Sequence, residues 1–336
     1  YAEPEQLVDA AVKLLDAEES PVRQALASMI EANDVVSDNE VIYLSPFYHA
    51  ENGSAKRLQS LLSDTSLFNA DIAAEPEAKY GDKPGDIVYD EVQLAAIQKA
   101  LDSKVMVLTG GPGTGKTTTT QGIIEAFKAR HMSILLAAPT GRAAKRMTEA
   151  TGMEAKTIHR LLEYNPMDGY KRNDENPLDG DALIVDECSM IDILLFYNLM
   201  KAIPLKMRLI LVGDIDQLPS VGAGNVLRDI IDSQQIPVVR LTRIFRQAQS
   251  SRIVMNAHAI NAGQFPNIKN GLDTDFFFIS QEDADEIVKL IIGLVRDRLP
   301  KTYGYPSKEV QVLTPMQRGT VGAGNLNIEL PNALNP

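Results

Sequence analysis

Eight residues, Gly110-Gly111-Pro112-Gly113-Thr114-Gly115-Lys116-Thr117, fit the spacing G-x-x-x-x-G-K-[ST]. An apolar run, "VMVLTG" at 105–110, precedes them and a helical pattern follows. Glycines at these positions let a backbone wrap phosphates, and the amides of the following helix N-terminus point at negative charge. Gly111, Pro112, Gly113, Thr114, Gly115, Lys116, Thr117 and Thr118 are therefore the candidate phosphate cradle. Lys116 would reach the β- and γ-phosphates, and Thr117 would hold Mg²⁺. A second apolar run, "LIVDECSM" at 183–190, ends in Asp186-Glu187. A carboxylate there can hold Mg²⁺, and its neighbour can orient or deprotonate an attacking water. "LVGDIDQLPSVGAG" at 211–224 repeats the pattern, with Gln217 placed to sense a γ-phosphate. Cys188 reads as a small buried residue rather than a reactive thiol.

These residues work together only if several strands end at one edge. "SILLAAPT" (133–140), "ALIVDE" (182–187), "RLILVGD" (208–214) and "PVVRLT" (237–242) are short apolar runs separated by helical patterns. That alternation predicts an α/β fold, a parallel sheet covered on both faces. Before it, helices at 4–16 and 21–32, a hairpin around Asp38-Asn39 and a helix at 46–63 suggest a small winged-helix-like module over 1–65. Ser20-Pro21 reads as a helix start. Pro- and Gly-bearing residues 66–86 read as a linker. Residues 87–240 are then a first α/β domain, which the family resemblance given below implies is RecA-like, with an insertion at about 163–180. Residues 241–336, with a helix at 250–262, a strand at 275–280, a helix at 284–298 and a strand at 309–316, read as the incomplete start of a second.

The formal net charge of -12 argues against a nucleic-acid partner until it is divided. Residues 1–90 hold 18 Asp and Glu against 6 Lys and Arg, and the remainder holds 27 of each. Within the remainder, residues 128–160 carry Lys128, Arg130, Arg142, Lys145, Arg146, Lys156 and Arg160 against only Glu149 and Glu154. A basic stripe and scattered surface charge are both compatible with that count. The acidity of the N-terminal module favours a protein-contact or scaffolding role, with repair proteins as the partners that the family resemblance given below implies. One cysteine excludes an internal disulfide framework and fits a reducing, cytoplasmic setting. No apolar run reaches the roughly 18 residues a membrane span needs. The first residues show no signal-peptide pattern, and the sequence opens at Tyr1, which leaves room for residues upstream. A monomer is expected.

The order of these motifs resembles superfamily 1 DNA helicases, most closely the RecD/TraA type with 5′→3′ polarity, related to the exodeoxyribonuclease V alpha subunit. The resemblance spans about 87–330. "DEVQLAAIQKAL" looks like the family's Q-motif, which implies Gln93 on the adenine of ATP; Asp90 and Gln93 equally fit a helix capping box. "APTGRAAKRM" (138–147) and "TIHRLL" (157–162) look like motifs Ia and Ib, which implies that Thr140, Gly141, Arg142 and His159 contact single-stranded DNA. For each a local alternative stands: a helix cap for Thr140, an ion pair for Arg142, a core position for His159. "LTRIFRQ" looks like motif IV, which implies that Arg246 is the arginine that stabilises transition-state charge. Arg243 reads as surface or DNA-facing, and Arg240 sits near a strand end. "EYNPMDGYKRNDENPLDGD" (163–181) stands where relatives carry a strand-separating hairpin, with Tyr170-Lys171-Arg172 on it. "VLTPMQRGTVGAGNLN" (312–327) looks like the start of a second lobe, and the patterns expected after it, motifs V and VI, are not found. The resemblance implies an ATP- and Mg²⁺-dependent DNA helicase of repair or recombination, of which this stretch binds nucleotide but hydrolyses it poorly and does not unwind. A nucleotide-gated binding module without helicase activity and an unrelated P-loop ATPase remain as alternatives.

Overall fold

Aliphatic runs too short to be helices and too apolar for a surface pair edge to edge here. The computed structural model describes residues 1–64, 88–271 and 274–335, without the side chains of Arg246 and Gln247. The expected linker at 66–86 lies outside the described residues. Two compact units are present, Tyr1–Pro266 and Asn267–Pro336.

The first unit opens with α1 (Pro4–Leu15) and α2 (Glu19–Glu31), a hairpin of β1 (Val35–Asp38) and β2 (Val41–Leu44), and α3 (Ser45–Ser63). α2 starts at Glu19 with Glu18 extended before it, not at a Ser20 cap. Proline is accepted in a helix's first turn because its missing N–H is not needed there, so Pro21 marks the start only approximately. Asn39 and Glu40 both have positive φ, 47° and 63°. That is the turn a two-residue hairpin needs to match strand twist.

Next come α4 (Glu91–Asp102), β3 (Val105–Gly110), α5 (Lys116–Ala129), β4 (Ile134–Ala138), α6 (Gly141–Thr151), β5 (Ala155–Thr157) and α7 (Ile158–Leu161). A small antiparallel pair, β6 (Tyr164–Asn165) and β7 (Gly169–Tyr170), interrupts the alternation. Then follow β8 (Ala182–Val185), α8 (Ile193–Ala202), β9 (Arg208–Gly213), α9 (Val226–Asp232), β10 (Val238–Leu241), α10 (Arg246–Gln249) and α11 (Arg252–Asn261). β10, β3, β9, β8, β4 and β5 form one six-stranded sheet in that order, every pairing parallel. The mixed α/β, RecA-like P-loop fold expected from the sequence is present.

Every residue of β3, β8 and β9 is buried. Side chains alternate across a strand, so the sheet divides its core in two. Val105, Val107, Leu183, Val185, Leu209 and Leu211 face a layer built with Leu195, Phe196 and Leu199 of α8. Met106, Leu108, Ile184, Ile210 and Val212 face one built with Ile97, Ile123 and Phe127. α3 joins the first layer: Leu61 is fully buried in it. Thus the N-terminal helices and hairpin share one compact unit with the sheet.

The second unit contains α12 (Ala284–Gly293), a π-helical turn (Leu294–Arg298), α13 (Leu299–Tyr303) and α14 (Ala323–Leu334), with Val288, Val295 and Leu326 buried. The strands expected at 275–280 and 309–316 do not form. β-prone residues become a strand only where a neighbour offers a ladder, and the described residues of this unit supply none. At Phe278 one side chain stands in: Asn270 Nδ2 donates to the Phe278 carbonyl and Asn270 Oδ1 accepts from its N–H, each at 2.9 Å.

α3 is pinned to α8 through Arg57, whose Nη2 donates to Ile203 O at 2.9 Å and Nε to Met200 O at 3.3 Å, with Asp174 Oδ1 at 3.4 Å. Arg57→Met keeps the stem but removes these donors. It should destabilise the first unit by about 1.5–3 kcal/mol, read as a lower denaturant midpoint. An unchanged midpoint would show that apolar packing alone holds α3.

Candidate nucleotide site and strand-contact face

β3 ends at Gly110 and α5 begins at Lys116, so the glycine loop occupies the carboxyl edge of the sheet, where open α/β sheets hold ligands. Gly113 and Gly115 have φ of 73° and 86°, which only glycine adopts without strain. A Cβ on Gly115 would lie 2.6 Å from Gln93 Nε2 and 2.9 Å from Phe245 Cε2, and one on Gly113 would lie 2.5 Å from Ala248 Cβ. Thr114 Oγ1 donates to Gly111 O at 2.8 Å and holds the loop closed on itself. No side chain caps α5, so its first amides face the loop. Lys116 Nζ donates to Gly110 O at 2.6 Å and Gly111 O at 3.1 Å, with Asp214 Oδ2 at 3.9 Å. The ammonium is thus folded onto its own loop's carbonyls, contacts that phosphate oxygens would replace. Pro112 and Thr117 are exposed and Thr118 half-exposed along this cradle.

Asp186 follows β8, with its N–H on Ala137 O at 2.9 Å. Its Oδ1 accepts from the Glu187 N–H at 2.8 Å. Glu187 sits at φ 54°, ψ 41°, a left-handed conformation unusual for a residue with a side chain. Burial pushes the Asp186 carboxyl above its ordinary range, against the Glu187 N–H, Lys116 and Arg146, which favour its charge. Glu187 is raised by burial and then by the charge of Asp186. Burial likewise raises the Cys188 thiol, which donates to Val185 O at 3.1 Å; it is a packed, inert thiol. Asp214 at the end of β9, only 2% exposed, is a third carboxylate that sequence reasoning did not single out. Its sequence signal was weak, an acid after a mostly apolar strand that opens on Arg208 and closes on Gly213. Asp216 N–H donates to Asp214 Oδ1 at 3.1 Å and Gln217 N–H to Asp214 O at 3.2 Å, so exposed Gln217 closes a turn that begins at this acid. Mg²⁺ is ordinarily held by one or two carboxylates, with hydroxyl, phosphate and water oxygens completing its shell. The Thr117 hydroxyl and the Asp186 and Asp214 carboxylates match that donor set.

Of the two readings of Gln93, the structure shows the capping box. The capping box with Asp90 forms: Gln93 N–H donates to Asp90 Oδ1 at 2.9 Å and Asp90 N–H to Gln93 Oε1 at 3.0 Å. Its Nε2, on a residue 1% exposed, has no hydrogen-bond partner and lies beside Gly115. The amide end is free for an acceptor while the carbonyl end is used.

The three spaced arginines do not share a helix face. Arg240 is exposed on edge strand β10. Arg243 is on the surface, with Nη1 3.9 Å from Asp90 Oδ2 and its guanidinium 5.8 Å from the Phe245 ring centre. Arg246 opens α10. Residues after β10 close over the glycine loop: Phe245 N–H donates to Gly113 O at 3.3 Å, and His258 Nε2 lies 3.0 Å from Pro112 O. These contacts place the boundary between the compact units at 266/267, later than the expected 240/241. His258 carried no sequence signal, because it reaches the loop only through the fold.

Parallel pairing of β4 and β5, with Ala138 opposite Thr157, sets the turn holding Thr140, Gly141 and Arg142 beside the one leading to His159. Thr140 caps α6, accepting from Ala143 N–H at 3.2 Å. Gly141, Arg142 and His159 are exposed, so the core-histidine alternative does not hold. Arg172 is tied to Glu163 at 2.7 Å and donates to Pro177 O at 3.3 Å, bracing the base of the β6–β7 hairpin; Lys171 remains exposed.

Residues 93–223 match a family described as an AAA domain. The chain is 36% identical over 298 residues, 88% of its length, to the ATP-dependent RecD2 DNA helicase of Deinococcus radiodurans, of which it spans 39%. It is 36% identical over 251 residues, 67% of its length, to the RecBCD enzyme subunit RecD of Mycobacterium tuberculosis, spanning 42% of that protein. A crystal structure of Pif1 helicase from Candida albicans aligns with a TM-score of 0.41 and 24% identity, over 54% of this chain and 46% of that one. Among the described residues no helix is long and apolar enough to cross a membrane.

Asp186 and Glu187 both have raised folded-state pKa values, so their ionisation costs folding free energy. That cost is absent below the ordinary carboxylate range and complete above the raised values. Asp186→Asn with Glu187→Gln should therefore raise the melting temperature by roughly a few degrees at pH 7, a gain that shrinks towards zero near pH 4. A gain that persisted at low pH would refute the burial argument.

Proposed function

From a chain that is RecD-like along 88% of its length, we propose that residues 88–266 carry the nucleotide-binding core of an ATP-dependent DNA helicase or translocase that acts on single-stranded DNA in repair or recombination. One observation carries the reading: the Lys116 ammonium is held inside a glycine loop, faces Asp214, and shares its sheet edge with Asp186 and Glu187.

Bound MgATP supplies the γ-phosphoryl group and the charge this site must balance. Lys116 turns from the carbonyls of Gly110 and Gly111 to the phosphates. Gly111, Pro112, Gly113, Thr114 and Gly115 shape the cradle, and the first amides of α5, at Lys116, Thr117 and Thr118, donate into it. Thr117 and Asp186 would hold the cation, which when bound would offset phosphate charge. Glu187 orients the attacking water and takes its proton, a role that a raised pKa suits. Gln217, hydrogen-bonded to the Asp214 segment, reports the γ-phosphate. The free Gln93 amide donates to the adenine. Arg246, on the segment closing over the loop, stabilises transition-state charge. Thr140, Gly141, Arg142 and His159 hold one DNA strand by its backbone, which fixes position without reading sequence. Unwinding belongs to the whole protein, of which residues 163–180 form the separating hairpin.

Fluorescent ATP should bind the 336-residue chain, and Lys116→Ala should weaken that binding at least tenfold; retained binding would remove the phosphate-cradle assignment. In a form of the protein that turns over ATP, Arg246→Ala should leave ATP affinity within about twofold and cut turnover by roughly 10³-fold or more. Normal turnover would return Arg246 to a solvated surface role.

A further inference from the structure

Three aromatic rings meet at the foot of the β6–β7 hairpin. Tyr164 and Tyr170 are direct cross-strand partners, with ring centres 4.7 Å apart. His159, from α7, lies 5.5 Å from Tyr164 at 77° and 6.0 Å from Tyr170 at 33°. Tyr170 is the anchor, packed against the core layer. Tyr164 is 45% exposed and His159 is exposed, so two rings of the cluster face solvent.

The support beneath them is firm. Thr157 caps α7 by accepting from Arg160 N–H at 3.2 Å, which fixes His159. Asn165 Nδ2 donates to Asp168 Oδ2 at 3.0 Å and its Oδ1 accepts from Met167 N–H at 3.0 Å, which sets the turn. Arg172 Nε and Glu163 clamp the base at 2.8 Å. Tyrosine freezes only two torsions on contact, so a pre-set pair binds at low entropic cost. Cations adjoin the rings in sequence: Arg160 and Lys171, the neighbours of His159 and Tyr170, are exposed, and half-buried Lys156 lies 3.9 Å from Glu154. The cluster follows directly on the His159 turn, beside the Thr140–Arg142 turn. Rings interleaved with cations are the chemistry that holds an unpaired strand, stacking bases while the cations meet phosphates.

We propose that Tyr164 and His159, backed by Tyr170, form a base-stacking platform for a nucleobase of single-stranded DNA. It rests on the single-strand reading above and extends it from backbone contacts to a base contact at the hairpin foot. Stacking needs no hydrogen-bond code, so the platform accepts any base.

The test uses the 336-residue chain with oligothymidine, an abasic oligomer of equal length, and an oligothymidine carrying one 2-aminopurine. Wild type should prefer oligothymidine to the abasic strand and quench the 2-aminopurine. Tyr164→Ala should lose that preference, weaken oligothymidine binding roughly 5- to 150-fold, from about 1–3 kcal/mol per stacked base, and keep the same salt slope, because no phosphate contact is removed. Tyr164→Phe should bind like wild type. Tyr164→Leu, which keeps apolar bulk at the hairpin, should fail like alanine and so separate stacking from folding. Equal binding of oligothymidine by wild type and both non-aromatic variants, with quenching intact, overturns the platform and leaves the strand-contact reading standing. Failure of wild type to bind either oligomer overturns that reading and the platform with it.

Discussion

Charges that burial disfavours, gathered at one edge of one sheet, set the terms for the rest of this molecule. Lys116, Asp186, Glu187 and Asp214 could each be hydrated separately at low cost. They are instead desolvated together, and the carboxyls of Asp186 and Glu187 are pushed upward as a result. Only a parallel sheet delivers them to one place, because every strand then ends at the same edge. That requirement explains why β3, β8 and β9 are buried along their whole length. The strands that carry the site must be central, and central strands are covered on both faces. It also explains the flanks: β4 and β5 lie beyond β8, so their turns open onto the same edge but away from the glycine loop.

The residues legible in the sequence are those whose chemistry and backbone demand coincide. Gly113 and Gly115 must be glycine for their φ and for the space at Gln93 and Ala248, so the loop announces itself. The central strands were equally readable, since each is built on a short, dense apolar run bounded by turn signals. Asp214 and His258 were not. Asp214 looks like any acid at a strand end until Lys116 is seen across from it, and His258 touches Pro112 across a span of chain no local pattern encodes. The strands expected at 275–280 and 309–316 failed for the complementary reason: their residues have strand propensity, but a strand is a pairing, and the ladder must come from elsewhere.

The arginines at 240, 243 and 246 are evenly spaced in sequence but stand on different elements: Arg240 belongs to β10, Arg243 to a loop and Arg246 to the start of α10. Their environments differ accordingly: an edge strand, a distant acid with an aromatic ring, and a segment lying on the glycine loop.

The contacts of that segment bear on how a motor could use it. Phe245 donates its N–H to Gly113 O and its ring limits the space at Gly115, while Ala248 limits the space at Gly113. The same Gly115 faces the unpaired amide of Gln93. So the two glycines that give the loop its shape are also where α4 and α10 touch it. A packed contact of this kind transmits displacement rather than absorbing it, because interiors deform little. Under the proposed function, phosphates that draw Lys116 off the loop carbonyls shift the loop, and the loop cannot shift without moving the residue before Arg246. On that proposal, nucleotide state would reach the arginine-bearing segment through the van der Waals contacts at these two glycines.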